Sequence, residues 1–345
     1  MGKALGGESR PAAEPGGRAN LRDVAQRAGV AVSTVSRVLS GHPDVSRATR
    51  DRVMAVVDEL GYRPNVLGQM LRRGATRTVG FAIGDISNPL FAQIALGAEA
   101  VLGERGYSLL LSNSMGEPER ELHNLRMLEQ RRVDGLLLSV TTERDPKLLA
   151  ALEGFDGPMV AIDREIRLTT GIGSVCSDHR TGISGAVRAL HAAGHRHIAL
   201  VAGLATLRPG RERIEAATGT AESLGVRCTV RSTAGFTALA PEGLLDLLKG
   251  PDAPTAFIAG NNQMLGSVLG AMEAAGTPDV SLVTCDEVPL LRFFRPRIAI
   301  VRRDPYRLGQ ESARMLVDCL EGGGTLKDLR LPTSFDPGDS IHPVA

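Results

Sequence analysis

From residue 78 onward the chain alternates between short apolar runs and longer stretches of helical periodicity. The runs fall at 79–83, 109–111, 136–140, 159–162, 198–202, 226–230, 255–259, 282–285 and 298–301. Amphipathic stretches at 91–105, 120–131, 181–193, 211–224, 241–248, 264–275 and 306–320 separate most of them. A short apolar run bounded by helices reads as a strand covered on both faces. The intervening helix returns the chain so that successive strands lie parallel. Nine such strands suit two doubly wound parallel-sheet lobes better than one sheet. The expected class is α/β.

The first 77 residues have a different texture. Positions 1–18 are rich in Gly, Pro and Ala and have almost nothing to bury, which predicts a disordered tail. Positions 20–62 read as helices without strands. Leu21, Val24, Ala25 and Ala28 share one helical face, and Gly29 interrupts it. Val32, Val35, Val38 and Leu39 form a second short apolar stripe. Ser46 is placed to cap a third helix with Val53, Val56, Val57 and Leu60 inward and Gly61 as its stop. Pro64 stands near the start of a further helical piece at 66–72.

Two short helices joined by a tight turn make a helix-turn-helix. Ala25 is small where the helices cross, Gly29 reaches the left-handed turn conformation without strain, and Val35 fills the space between them. The start of the second helix then presents Val32, Ser33, Thr34, Ser36 and Arg37, side chains sized for base edges and phosphates in a major groove. Arg37 is the candidate bidentate donor to guanine. Charge agrees with a polyanion partner for this segment alone. Residues 1–77 hold 13 of the 40 Lys and Arg but 7 of the 39 acids, so a basic head stands on an acidic body.

Several function classes are excluded or disfavoured. No apolar run is long enough for a membrane helix, and the first residues lack the apolar core of a secretory signal. Cys176, Cys228, Cys285 and Cys319 lie far apart and form no metal-spaced cluster, so neither a metal site nor a disulfide framework is expected. The expected compartment is the cytoplasm. The chain has no phosphate-binding glycine loop, nucleophile elbow or HExxH, so no cofactor, catalytic residue or enzymatic activity is expected. His191, His195 and His197 cluster near a helix C-terminus, where the helix dipole accounts for them.

The stretch from Leu21 to Ser40 closely resembles the DNA-binding head of the LacI/GalR family of bacterial transcriptional regulators. The resemblance continues through Val45-Ser46, Thr49-Arg50, Leu60-Gly61-Tyr62-Arg63-Pro64-Asn65, Thr78-Val79-Gly80 and Asp85-Ile86-Ser87-Asn88-Pro89. It extends to Arg132-Val133-Asp134-Gly135-Leu136, Asp163-Arg164, Gly194-His195-Arg196-His197-Ile198-Ala199 and Gly210-Arg211-Glu212-Arg213, covering roughly residues 20–335. It implies an all-α helix-turn-helix head, a hinge helix, and a core of two lobes like the periplasmic sugar-binding proteins.

The implied boundaries are 1–18 for the tail, 19–64 for the head, 65–77 for the hinge and linker, and 78–345 for the effector-binding and dimerisation core. Within the core, lobe 1 would span about 78–176 plus 304–332, and lobe 2 about 177–303 plus the C-terminal segment. The implied partners are double-stranded operator DNA of near-palindromic sequence, a small-molecule effector of carbohydrate type, and a second copy of the chain. No membrane is involved. The chain ends soon after its last strand without a heptad helix, which favours a dimer over a coiled-coil tetramer. The alternative is a solute-binding protein of the same core fold without a regulatory role.

By the same resemblance Asn65, Leu71 and Arg72 belong to the hinge, with Leu71 as the wedge that enters the minor groove and kinks the DNA. Asp85, Asn88, Leu90, Phe91, Ser139, Asp163, Arg213, Phe236, Asn261 and Asp286 would line the effector cleft, with Asn261 at a strand end and Phe236 as a stacking aromatic. Departures from the usual pattern are also visible. Ala31 replaces a capping Ser, and Gly68 replaces a hinge Ala. Asn262 follows Asn261 where an Asp is usual, Cys285 and Ala217 stand in place of aromatics, and the 276–279 stretch is shortened. The expected cleft is less aromatic and less acidic than that of sugar-binding relatives.

Overall fold

The computed structural model describes residues 19–62, 75–169, 171–233, 235, 240–277 and 279–344. The chain divides into two units, Met1–Ala75 and Thr76–Ala345. The expected tail at 1–18, and Asn65, Gly68, Leu71 and Arg72 of the expected hinge, lie outside the described residues.

The head is three helices, α1 (Leu21–Ala28), α2 (Val32–Leu39) and α3 (Arg47–Glu59). Asn20 caps α1 reciprocally: its side chain accepts from the Arg22 and Asp23 amides, and the Asp23 carboxylate accepts from the Asn20 amide. Gly29 closes α1 at φ 64°, and the Ser46 hydroxyl accepts from the Thr49 amide to open α3. Val24, Val35 and Val53 are fully buried at the centre, with Ala25, Ala28, Val38, Val56 and Val57 around them. Tyr62 joins this core, which its place beyond the third helix does not signal. Val32 is 41% exposed and leaves the apolar stripe that periodicity assigns it.

Ala31 is the N-cap of α2, extended at φ −68° and ψ 150°, and offers no side-chain bond to the first turn. Ala31→Ser should therefore stabilise the head by about 1 kcal/mol. Hydrogen exchange of the α1–α3 amides in the full-length protein should slow roughly fivefold, and unchanged protection would show that the α2 terminus needs no cap.

The core begins with β1 (Thr78–Ile83), α4 (Pro89–Glu104), β2 (Ser108–Asn113), α5 (Pro118–Gln130), β3 (Gly135–Ser139), α6 (Pro146–Glu153), β4 (Met159–Ile162) and β5 (Gly173–Ser177). It continues with α7 (His179–Ala192), β6 (His197–Ala202), α8 (Arg208–Ser223), β7 (Arg227–Ser232), α9 (Leu245–Leu248), β8 (Ala256–Ala259), α10 (Asn262–Ala275), β9 (Ser281–Cys285) and β10 (Ala299–Arg302). The last elements are α11 (Pro305–Leu320), β11 (Asp328–Leu331) and β12 (Ser334–Asp336).

Two six-stranded sheets result. The first has the order β11-β5-β4-β3-β1-β2 and is parallel throughout. The second has the order β12-β10-β9-β8-β6-β7 and is parallel except for β12, which runs antiparallel to β10. The chain passes from the first lobe to the second after β5, returns after β10, and crosses again after β11.

The nine apolar runs all become strands. Three further strands carry no such signal. β5 reads Gly-Ser-Val-Cys-Ser, and β11 and β12 are short edge strands of mixed polarity. The expected helix at 241–248 is instead a 3₁₀ turn (Pro241–Leu244) running into the four-residue α9. In the first lobe α4 and α11 cross at two glycines. A Cβ at Gly97 would meet the Tyr306 carbonyl oxygen at 2.0 Å, and one at Gly309 would meet that of Ile94 at 2.0 Å.

Candidate nucleic-acid interface and effector cleft

On α2, Val35 and Val38 face the head core, while Val32, Ser33 and Arg37 are exposed and Thr34 and Ser36 are half-buried. The N-terminal turn of α2 carries neither a side-chain cap nor an acidic residue. Its amides are thus open to an anion, and a helix N-terminus favours phosphate.

In the core, the carboxyl ends of both parallel sheets face one cleft, the position where open α/β sheets hold ligands. Asp85, Asn88, Leu90, Phe91, Ser139, Asp163, Arg213, Asn261 and Asp286 line a single cavity there. The sequence placed Asn261 at a strand end. The structure instead makes it the N-cap of α10, its side chain accepting from the Met264 amide at 2.8 Å. Asn88 caps α4 in the same way, accepting from the Leu90 amide at 3.1 Å. Phe236 lies outside the described residues.

The deep wall is ionic. Asp163 and Asp286 directly follow β4 and β9 with positive φ of 51° and 71°, a conformation costly for a residue with a Cβ. Both are buried, and Arg303 joins them. It donates through Nε and Nη2 to Asp286 and through Nη1 to Asp163. Asp163 also accepts from the Ser177 amide at 2.6 Å and from Arg208 at 3.4 Å, and His179 lies 3.5 Å away.

Burial alone would raise the Asp163 carboxyl, but the Arg303 and Arg208 guanidiniums hold it well below the usual carboxylate range. Burial would likewise raise Asp286, and Arg303 and Arg213 keep it low. His179 is pushed down to about 4 by burial and by the Arg213 guanidinium, so its imidazole is neutral at physiological pH.

Contacts between lobes continue around this centre. The Arg208 amide donates to Glu143 at 2.9 Å, and Arg211 reaches Glu165 at 2.7 Å and Glu143 at 3.3 Å. At the mouth, Gln263 donates to Asp85 at 2.9 Å and Asn262 to Asn88 at 3.3 Å. The two lobes are therefore in contact on both sides of the cavity. Arg213 stands apart: it is 4% exposed, and its Nε has no hydrogen-bond partner among the described residues.

Sequence reasoning missed Arg303, Arg208 and Gln263. Arg303 could have been found as the residue just past a strand carboxyl end on a segment that crosses between lobes. Its choice of carboxylates is a tertiary fact with no local signal. No group of three or more potential ligating side chains at metal spacing occurs among the described residues, and no helix there is long and apolar enough to cross a membrane.

Residues 20–65 match the lacI family of bacterial regulatory proteins, and residues 187–341 match the periplasmic binding protein-like domain. The chain is 31% identical over 307 residues to the ribose operon repressor of Bacillus subtilis, covering 88% of this chain and 92% of that protein. It is 33% identical over 309 residues to catabolite control protein A of Priestia megaterium, covering 86% and 91%. The crystal structure of the lac repressor dimer bound to operator and the anti-inducer ONPF aligns with a TM-score of 0.83 at 25% identity, over 94% of this chain and 100% of that one. The chain belongs to the lacI family of bacterial regulatory proteins.

Proposed function

We propose that this protein is a transcriptional repressor, not an enzyme, acting in the cytoplasm. It binds a near-palindromic operator as a homodimer, and a small hydroxylated molecule in the interlobe cleft controls it. The observation that carries the reading is α2: two valines anchor one face in the head core, while Val32, Ser33 and Arg37 stand exposed beside an uncapped N-terminus. Ser33, Thr34 and Ser36 suit phosphate and base-edge contacts, Val32 suits a thymine methyl, and Arg37 suits guanine. Asn65, Leu71 and Arg72 would complete the interface at the hinge, with Leu71 as the minor-groove wedge.

The cleft is the control point. A ligand shifts the balance between DNA-bound and released states only by as much as its affinity differs between them, typically about 1–3 kcal/mol. Contacts at both sides of the cavity give the lobes something to exchange. A ligand touching Asp85, Asn88, Leu90 and Phe91 from one lobe and Arg213, Asn261 and Asp286 from the other changes the relation of the two. Ser139 and Asp163 would form its floor, and Phe236 would add a flat face.

Arg37→Ala should weaken binding to the selected operator by about 1–3 kcal/mol per half-site while sparing non-specific binding. Fluorescence anisotropy on operator and scrambled duplexes, over a salt series, separates the two terms. An equal loss on both duplexes would remove Arg37 from base reading.

A further inference from the structure

Six charged residues line the cavity, and their pairing is lopsided. Asp85, half-buried at the mouth, accepts from the Ser87 amide and hydroxyl and from Gln263. The two buried acids, Asp163 and Asp286, are both held by Arg303. Both are already ion-paired, which makes them weaker acceptors for a ligand hydroxyl than free carboxylates. On the basic side, Arg164 is buried and donates to the backbone carbonyls of Val140 and Asp163, with no carboxylate as a partner. Arg213 is buried and has neither a hydrogen bond nor an ion pair among the described residues.

The buried lining therefore sets three guanidiniums against two carboxylates, and Arg213, whose charge is felt by Asp286, makes no hydrogen bond or ion pair of its own among the described residues. A buried charge without a partner is costly. Gly210 in the first turn of α8 also lines the cavity, while Glu143 accepts from the Arg208 amide at that helix end. A buried guanidinium fork with no hydrogen-bonded partner suits a carboxylate, which accepts two parallel hydrogen bonds.

We propose that the molecule that fills this cleft is a hydroxylated carboxylic acid, its carboxylate seated on Arg213 of α8. This rests on the reading of the cleft as the effector site. Arg303 then sets specificity by occupying the two acids that would otherwise accept hydroxyls of a neutral sugar. Asn88 and Asn261 remain at the rim for the hydroxyls of the acid.

The test uses the full-length protein and thermal unfolding in the presence of four- to six-carbon aldonates and the matching neutral aldoses, each at about 10 mM and constant ionic strength. A millimolar binder raises the midpoint by roughly 2 °C or more under these conditions. The expected result is a response to at least one aldonate and none to its aldose. Arg213→Gln should abolish that response, and Arg213→Lys should retain only part of it.

A response to aldoses equal to or above that to aldonates would overturn the ligand class and leave the cleft as the effector site. A response to aldonates that survives in Arg213→Gln would overturn the seat. No response to either class would overturn both the ligand class and the cleft reading.

Discussion

Arg303→Gln should lower the stability of the core by about 3–5 kcal/mol, the range for removing one partner from a buried ion pair. The Arg303 side chain is 6% exposed and serves two carboxylates from opposite lobes. A glutamine carries no charge and cannot reach both. Asp163 would keep Arg208 and the Ser177 amide, whereas Asp286 has no other ion pair among the described residues.

The pH dependence identifies the cause. In the parent protein both carboxyls are held low, so their contribution is present above the ordinary carboxylate pKa of about 4 and is lost as pH falls below it. In the variant, Asp286 is buried with its ion-paired cation gone and only the Arg213 charge nearby, and its pKa rises. The penalty is then relieved as the group takes up a proton, so the gap between the two proteins should narrow from pH 7 to pH 5. Urea unfolding at both pH values measures this. A loss below about 1 kcal/mol at pH 7 would contradict the pairing, and a gap indifferent to pH would contradict its electrostatic origin.

Gly309→Ala should destabilise the first lobe by about 1–3 kcal/mol or more, because the added methyl meets backbone. Its Cβ would lie 2.0 Å from the Ile94 carbonyl oxygen and 2.9 Å from the Ala98 nitrogen, and neither can move away by changing a rotamer. The α4 and α11 axes would have to separate. Gly266→Ala in the middle of α10, where nothing lies within 4 Å of the added Cβ, is the matched control. It should stabilise by roughly 0.5–1 kcal/mol through helix propensity alone. If Gly309→Ala behaved like Gly266→Ala, the close crossing of α4 and α11 would be wrong.

Much of this architecture was legible in the sequence, for identifiable reasons. Period-3.6 burial marked α1 to α3, and Gly29 and Ser46 stand where the chain must turn and cap. Continuous apolar runs marked the interior strands, since a strand covered on both faces needs no polar alternation. The edge strands β11 and β12 and the small-residue β5 lack that demand and gave no signal. The family resemblance placed ten residues at the cleft, and the nine that fall on described residues share one cavity. What stayed hidden was who pairs with whom. Asp163 and Asp286 read as ligand acceptors, yet Arg303, distant in sequence from Asp163, already holds them both. Val32 was ambiguous by periodicity because it begins the helix, where one apolar residue more or less does not shift the stripe.

The central claim is that the exposed face of α2 reads a symmetric DNA sequence. Selection of bound duplexes from a random double-stranded pool by the full-length protein, at about 150 mM salt where non-specific binding is weak, tests it most directly. The account predicts enrichment of a near-palindrome with a guanine in each half-site that Arg37→Ala no longer selects. A pool that stays random, both with the protein alone and with cell extract added as a source of corepressor, would contradict it.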